Sequence, residues 1–332
     1  MTKKTPKKKS RKTSKKRQQA PDVGVFKNAE NSEEFDTHYS ELFGKRWQTL
    51  RPALCASATA GGSQLNLREL RALALSGDYW LDKASCLLAQ LLAERVSEAG
   101  SREEAEETEE KAEPNGPQIW DMCAAPGGKM LRLALAMQGR PAAGLLASDV
   151  SIPRFARLQQ QRALLPAGMQ QQVVLQRADA CLLALKHKAA GRSFDAILLD
   201  APCSSERHVL AQSPELLSRW RTSRSKRNGR TQLALLCAAL DCLAPGGHLL
   251  YATCALSPAE NSAVVARALK KRPLLGVHPA PFEVTDYPEW TFESLFPESG
   301  QALGYSILPD RNAGCGPLYF CLLHRSPNSK SP

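Results

Sequence analysis

The stretch QIWDMCAAPGGKMLRLALAMQ, residues 118–138, runs from a short apolar segment through a glycine turn into a helix-like segment. Ile119 and Trp120 read as strand, and a helix is expected from about Met130. Between them, Gly127 and Gly128 let backbone approach a ligand closely. The turn is not GxGxxG, which disfavours a nicotinamide site, and Met130 after Lys129 breaks the pattern of a phosphate loop. The same alternation continues downstream. GLLASDV (144–150), QQVVLQRAD (171–179), FDAILLDAP (194–202) and GGHLLYATC (246–254) are apolar strand candidates, with IPRFARLQQQRALL and RTQLALLCAALDCL as helices between them. Strands alternating with helices predict a Rossmann-like α/β fold, a mostly parallel seven-stranded sheet with helices on both faces. PLYFCLLHR (317–325) is expected as an antiparallel edge.

Around this core the chain divides by texture. Residues 1–21 form a basic tail, 22–97 a mainly helical region with RNA binding as its expected role, and 98–116 an acidic linker; 117–326 is the catalytic domain and 327–332 a short tail. Of the 44 Lys and Arg residues, ten fall within residues 1–20, leaving 34 basic against 33 acidic in the rest. Such a tail binds polyanions without sequence preference or simply aids solubility. RWRTSRSKRNGR (219–230) puts six basic residues around one Trp, which suits a nucleic-acid backbone or, equally, a solvated loop. No apolar run reaches the roughly 18 residues of a membrane span, and no secretory h-region follows Met1. An intracellular protein with ten reduced cysteines is expected, and without a CxxC pair no metal is called for.

In an open parallel sheet, ligands bind beyond the carboxyl ends of the strands. Asp149, 28 residues after Asp121, ends the second strand and can accept both hydroxyls of a ribose. Asp179 ends the third and can accept from an adenine amino group. With the glycine turn, these fit an adenosine ligand lacking phosphates, of which S-adenosylmethionine is the commonest. Taken singly, each residue is more often an ordinary polar cap; the ordered set reverses that. The fourth end is LLDAPCSS, with Asp200 and Cys203, and the fifth YATCAL, with Thr253 and Cys254. A free cysteine is more often buried filler than catalyst. Two thiols and a carboxylate around one cleft, however, suit one reaction well. Carbon 5 of cytosine is a poor nucleophile until a thiolate adds to carbon 6, and a carboxyl at the N3 and N4 edge stabilises the shifted charge.

DMCAAPGGK, LLDAPCS and YATCAL followed by SPAEN resemble the motifs of the Nop/Sun family of S-adenosylmethionine-dependent RNA cytosine-5 methyltransferases, whose fold is the class I methyltransferase form. YWLDKAS (79–85) resembles the segment preceding the first motif, and FDTHYSELFGKRW and GPLYFCLLHR resemble the branch with mitochondrial ribosomal-RNA and transfer-RNA members. The resemblance implies Cys254 as nucleophile, Cys203 as the cysteine aiding product release and Asp200 as a contact to the target base. It implies cofactor contacts from Cys123, Ala124, Ala125, Pro126, Gly127, Gly128 and Lys129 on the methionine side. Asp149 takes the ribose, Asp179 the adenine, and Arg154 matches a recurring basic position; Asp200 also borders the cofactor. The chain departs from the family at Ala255, where Ser is common, and at Met130, where Thr is frequent.

The expected activity is therefore RNA 5-methylcytosine formation, on ribosomal RNA first and transfer RNA second. A DNA cytosine-5 methyltransferase would use only Cys203, and a small-molecule methyltransferase explains neither the cysteine pair nor the basic stretches. A non-catalytic ribosome-assembly RNA-binding factor would lack a cofactor or nucleophile residue, and none is missing. The expected state is a monomer with RNA as partner and no membrane, leaving room for a ribosomal or accessory protein. The compartment follows the source: cytoplasm in a prokaryote, mitochondrion or nucleolus in a eukaryote.

Overall fold

The computed structural model describes residues 33–56, 64–67, 75–103, 116–140, 142–212, 214–296 and 303–328. The basic tail and most of the acidic linker lie outside these residues. Helices α1 (Glu33–Phe43) and α2 (Trp47–Cys55) come first, then a small antiparallel ribbon of β1 (Gln64–Asn66) and β2 (Trp80–Asp82). The long helix α3 (Lys83–Glu103) follows and runs into the acidic segment, whose Ala and Glu residues are good helix formers.

The main sheet is built from β3 (Gln118–Asp121), β4 (Gly144–Ser148), β5 (Val173–Gln176), β6 (Phe194–Asp200), β7 (Leu243–Thr253), β8 (Val277–Pro279), β9 (Tyr305–Ile307) and β10 (Leu318–Arg325). Their order is β5-β4-β3-β6-β7-β10-β8, with β9 also on β10. The first five are mutually parallel, and β10 runs antiparallel to β7. Two sequence expectations need correction. Among the described residues the sheet has eight strands rather than seven, because β8 and β9 are three-residue strands too short to show a period. And β10 is antiparallel but not an edge, since β7 flanks it on one side and β8 and β9 on the other.

The strands read as continuous apolar runs because both faces are covered. Ile119, Leu145, Leu198, Leu250 and Phe320 enter one core with α3, α4 (Gly128–Leu133) and Leu158 of α5 (Ile152–Arg162). Their neighbours Trp120, Leu146, Ile197, Leu249 and Tyr319 enter the other with α7 (Ala180–Ala189), α10 (Thr222–Cys242) and α11 (Ser262–Lys271), while α6 (Ala167–Gln172), α8 (Glu206–Gln212) and α9 (Pro214–Ser218) are short helices in the connections. A period of two thus separates the cores. The buried Trp120 indole donates to Ser148 Oγ at 3.0 Å, and Ser148 donates on to the Met122 carbonyl.

A third apolar cluster crosses the expected boundary at residue 117. Phe35, Tyr39, Trp47, Leu50 and Leu54 of α1 and α2 pack with Val209, Leu217, Trp220, Leu256 and Leu308. The Trp220 ring meets Phe35 edge-on, with centroids 5.1 Å apart. Trp220 therefore belongs to the core, and the aromatic in the basic stretch is not available for base stacking. Arg46 forks between Glu293 and Asp310, fastening the turn after α1 to the C-terminal part of the sheet.

Candidate functional site

From β3 the chain moves to β4 and β5 on one side, then returns to place β6 and β7 on the other. The carboxyl ends of β3 and β6 therefore flank the point where strand order reverses, the ligand position in an open α/β sheet. Asp121 ends β3 and Asp200 ends β6. Between them lies a cavity lined by Cys123, Ala124, Ala125, Pro126, Gly128 and Lys129 and closed from the N-terminal ribbon by Tyr79 and Leu81. Lys129 is partly buried, and its ammonium sits 2.8 Å from Asp200 Oδ2 and 3.2 Å from Ser85 Oγ. Burial lowers the Lys129 pKa, but the Asp200 and Asp121 carboxyls outweigh it and hold the lysine charged.

Asp121 is fully buried and neither carboxyl oxygen has a hydrogen-bond partner. Burial, with Asp200 next, raises its pKa to about 8. At the end of β4, Asp149 accepts from Ser151 N–H, while its other oxygen lies 3.3 Å from Arg154 Nη2 without a hydrogen bond. Arg154 also donates to the Ala125 carbonyl, linking Asp149 to the glycine turn. Asp179 is exposed and caps α7 through Oδ1, which accepts from the Cys181 and Leu182 amides. Its second oxygen is the part that remains for a ligand. The glycines serve protein packing as well as approach. Gly127 has φ +119°, and a side chain there would meet Gln161 at 2.9 Å.

The two cysteines meet. Cys203 Sγ and Cys254 Sγ are 3.0 Å apart, on the loops after β6 and β7. One turn, SPAEN (257–261), holds both loops. Glu260 Oε2 accepts from the Ser204 amide at 3.0 Å, and from Asn228 and Gln232. Asn261 accepts from Thr253 Oγ1 and donates to the Ala255 carbonyl at 2.9 Å, bracing both sides of Cys254. The hydrogen bonds from Cys203 and then Ser205 lower the Cys254 pKa, although burial opposes them. The same contact and burial push Cys203 well up, so Cys254 is the thiol of the pair that gives up its proton more readily.

The structure gathers Asp121, Cys123, Lys129 and Asp200 around one cavity and brings Cys203 and Cys254 into contact, whereas Asp149 and Asp179 do not line that cavity. Sequence reasoning did not single out Tyr79, Ser205, Glu260 or Asn261, nor the burial of Asp121. Asp121 carried a signal, its place at the end of the first strand, but its burial is a property of the folded sheet. Glu260 and Asn261 read only as a turn. Among the basic residues of 219–230, Lys226, Arg227 and Arg230 are exposed on α10, while Arg221 lies 3.3 Å from Glu34. No helix among the described residues is long and apolar enough to cross a membrane.

A family model described as 16S rRNA methyltransferase RsmB/F matches residues 111–312. The 5-cytosine rRNA methyltransferase NSUN4 of Xenopus tropicalis is 33% identical over 217 residues, covering 64% of this chain and 52% of that protein. The mitochondrial tRNA (cytosine(34)-C(5))-methyltransferase of Mus musculus is 27% identical over 218 residues, covering 65% and 60%. The ribosomal RNA small subunit methyltransferase B of Pasteurella multocida is 33% identical over 219 residues, covering 64% and 44%. The chain thus spans about half the length of the curated relatives it matches. Among solved structures, a methyltransferase homolog from Pyrococcus horikoshii shares the fold with a TM-score of 0.61 at 20% identity, over 90% of this chain and 96% of that one. NSun6 from Pyrococcus horikoshii with SFG gives a TM-score of 0.54 at 25% identity, over 79% and 56%.

Proposed function

This chain belongs to the RsmB/F methyltransferase family, and from that premise we propose that it methylates carbon 5 of a cytosine in ribosomal RNA, using S-adenosylmethionine. The observation that carries the reading is the pair of sulfurs 3.0 Å apart beside Asp200. The cofactor fits the unsatisfied groups of the site. The partnerless oxygens of Asp121 and the Asp149 oxygen that makes no hydrogen bond suit an ammonium and ribose hydroxyls, and Asp179 Oδ2 suits an adenine amine. Exposed Val150 and Ile152, beside Asp149, offer an apolar shelf for the base. Bound there, the cofactor supplies an electrophilic methyl group.

The chain's own residues do the rest. The Cys254 thiolate adds to carbon 6 and makes carbon 5 electron-rich. Lys129 engages one oxygen of Asp200, which leaves the other to accept from the N4 amino group of the base. After methylation the carbon 5 proton leaves, the Cys254–carbon 6 bond breaks and its electrons return to sulfur. Cys203, in contact with Cys254, assists that release. Exposed Lys226, Arg227 and Arg230 supply phosphate contacts. Cys254→Ala is expected to abolish 5-methylcytosine formation, whereas Cys203→Ala accumulates a covalent protein–RNA band on a denaturing gel. Turnover by Cys254→Ala, or adduct formed by it, would overturn the assignment. Bisulfite mapping of cellular RNA with and without the gene tests the substrate; loss of a transfer-RNA site alone would replace ribosomal RNA.

A further inference from the structure

Ser205 stands at the centre of the cysteine pair, and the motif comparison assigns it nothing. Its Oγ lies 3.1 Å from Cys254 Sγ and 3.5 Å from Cys203 Sγ. A hydroxyl has one proton to donate, so it serves one sulfur at a time. Its backbone is unusual too. Ser205 has φ +53°, a left-handed conformation that residues with a Cβ rarely adopt. Both neighbours are pinned. The Ser204 amide is bonded to Glu260, and the Glu206 carboxylate accepts from the Tyr39 hydroxyl and the Leu256 amide. A glycine would take this φ freely. A serine there brings a hydroxyl to the sulfurs at the expense of backbone strain, and strain of that kind gathers at functional sites.

We propose that the Ser205 hydroxyl is a further catalytic group, donating a hydrogen bond to the Cys254 sulfur whenever that sulfur is anionic. This rests on Cys254 being the nucleophile. Before attack, the donor stabilises the thiolate. As the sulfur–carbon 6 bond forms, sulfur gives up its charge and the hydroxyl turns to Cys203. In the elimination the carbon 5 proton passes to water and its bonding pair forms the carbon 5–carbon 6 double bond. The sulfur–carbon pair then returns to Cys254, and Ser205 donates to it again. A leaving thiolate is thus met by the same proton that met the attacking one. The lowered Cys254 pKa, to which the Ser205 hydrogen bond contributes after that of Cys203, agrees with this placement.

The test is the pH dependence of Cys254 alkylation by iodoacetamide, read by mass spectrometry on the full chain without RNA. Ser205→Ala and Ser205→Gly are both expected to move the profile upward by roughly one pH unit, the size of a hydrogen bond to a charged group. Ser205→Thr, which keeps the hydroxyl, is expected to stay with the parent. Single-turnover methylation at neutral pH should slow by about tenfold in the first two variants. Profiles of Ala and Gly variants that superimpose on the parent would overturn the proposal. So would a shift in Ala and Thr but not Gly, which would make backbone geometry the contribution of this position. Alkylation needs no substrate, so failure here is distinct from failure of the nucleophile assignment, which Cys254→Ala turnover reports.

Discussion

At Asp121 a single carboxyl sits fully buried with both oxygens unpartnered, and its proton affinity is displaced accordingly. Its folded pKa of about 8 lies above the ordinary 3.8, so the folded state holds the proton more tightly than the unfolded chain. Stability from this group is complete below about pH 4 and is lost as pH rises through 8. Asp121→Asn keeps the shape without the charge. It should therefore melt higher than the parent at pH 8, with the difference closing toward pH 4, in ligand-free thermal unfolding. The same variant should bind S-adenosylmethionine more weakly by calorimetry, because an amide cannot supply the negative charge that pairs with an ammonium. Tighter binding would remove Asp121 from the cofactor site. Asp179 teaches the opposite lesson. Read in the sequence as an adenine contact, it spends one oxygen on capping α7, as an acid before a helix does. Strand-end position was legible for both acids; the division of each carboxylate between fold and ligand was not, because it depends on burial and on helix geometry.

The loops after β6 and β7 have little regular structure of their own, and SPAEN gives them a common anchor. Glu260 and Asn261 fix one loop each, so the sulfur contact depends on adjacent residues of one short turn. Asn261→Ala removes the brace on both sides of Cys254 and leaves a buried carbonyl without its donor. It should cost on the order of 1–3 kcal/mol in denaturant unfolding. Single-turnover methylation should fall more than tenfold, with RNA affinity unchanged. An unchanged rate would show that the TC loop holds itself. The five parallel strands and their helices were readable because apolar runs of adequate length alternate with helical periodicity. What could not be read was non-local. Nothing local in YATCAL or DAPCSS says that a turn downstream of both will fasten them, and three-residue strands such as β8 and β9 carry no period to detect.

Across the whole molecule, the N-terminal helices pack into the same body as the main sheet and its loops. Composition suggested a break near residue 117, yet α3 buries Leu88 and Leu92 against the sheet, and Tyr39 of α1 donates to Glu206 beside the cysteines. A chain trimmed to residues 117–326 should therefore unfold at lower denaturant than the full chain and expose apolar surface to a dye. Equal midpoints would restore the boundary expected from composition. The contrast in charge was legible; the aromatic cluster joining Phe35 to Trp220 was not, because its halves are far apart in sequence. The position of Tyr79 carries this further. A side chain on Gly128 would come within 2.7 Å of the Tyr79 ring, which lines the same cavity as Asp121 and Asp200. One wall of the pocket thus comes from chain that precedes the acidic segment. Ligand retention becomes a gauge of assembly: a substitution that loosens the docking of the N-terminal ribbon should register as faster ligand escape before any change in melting is seen.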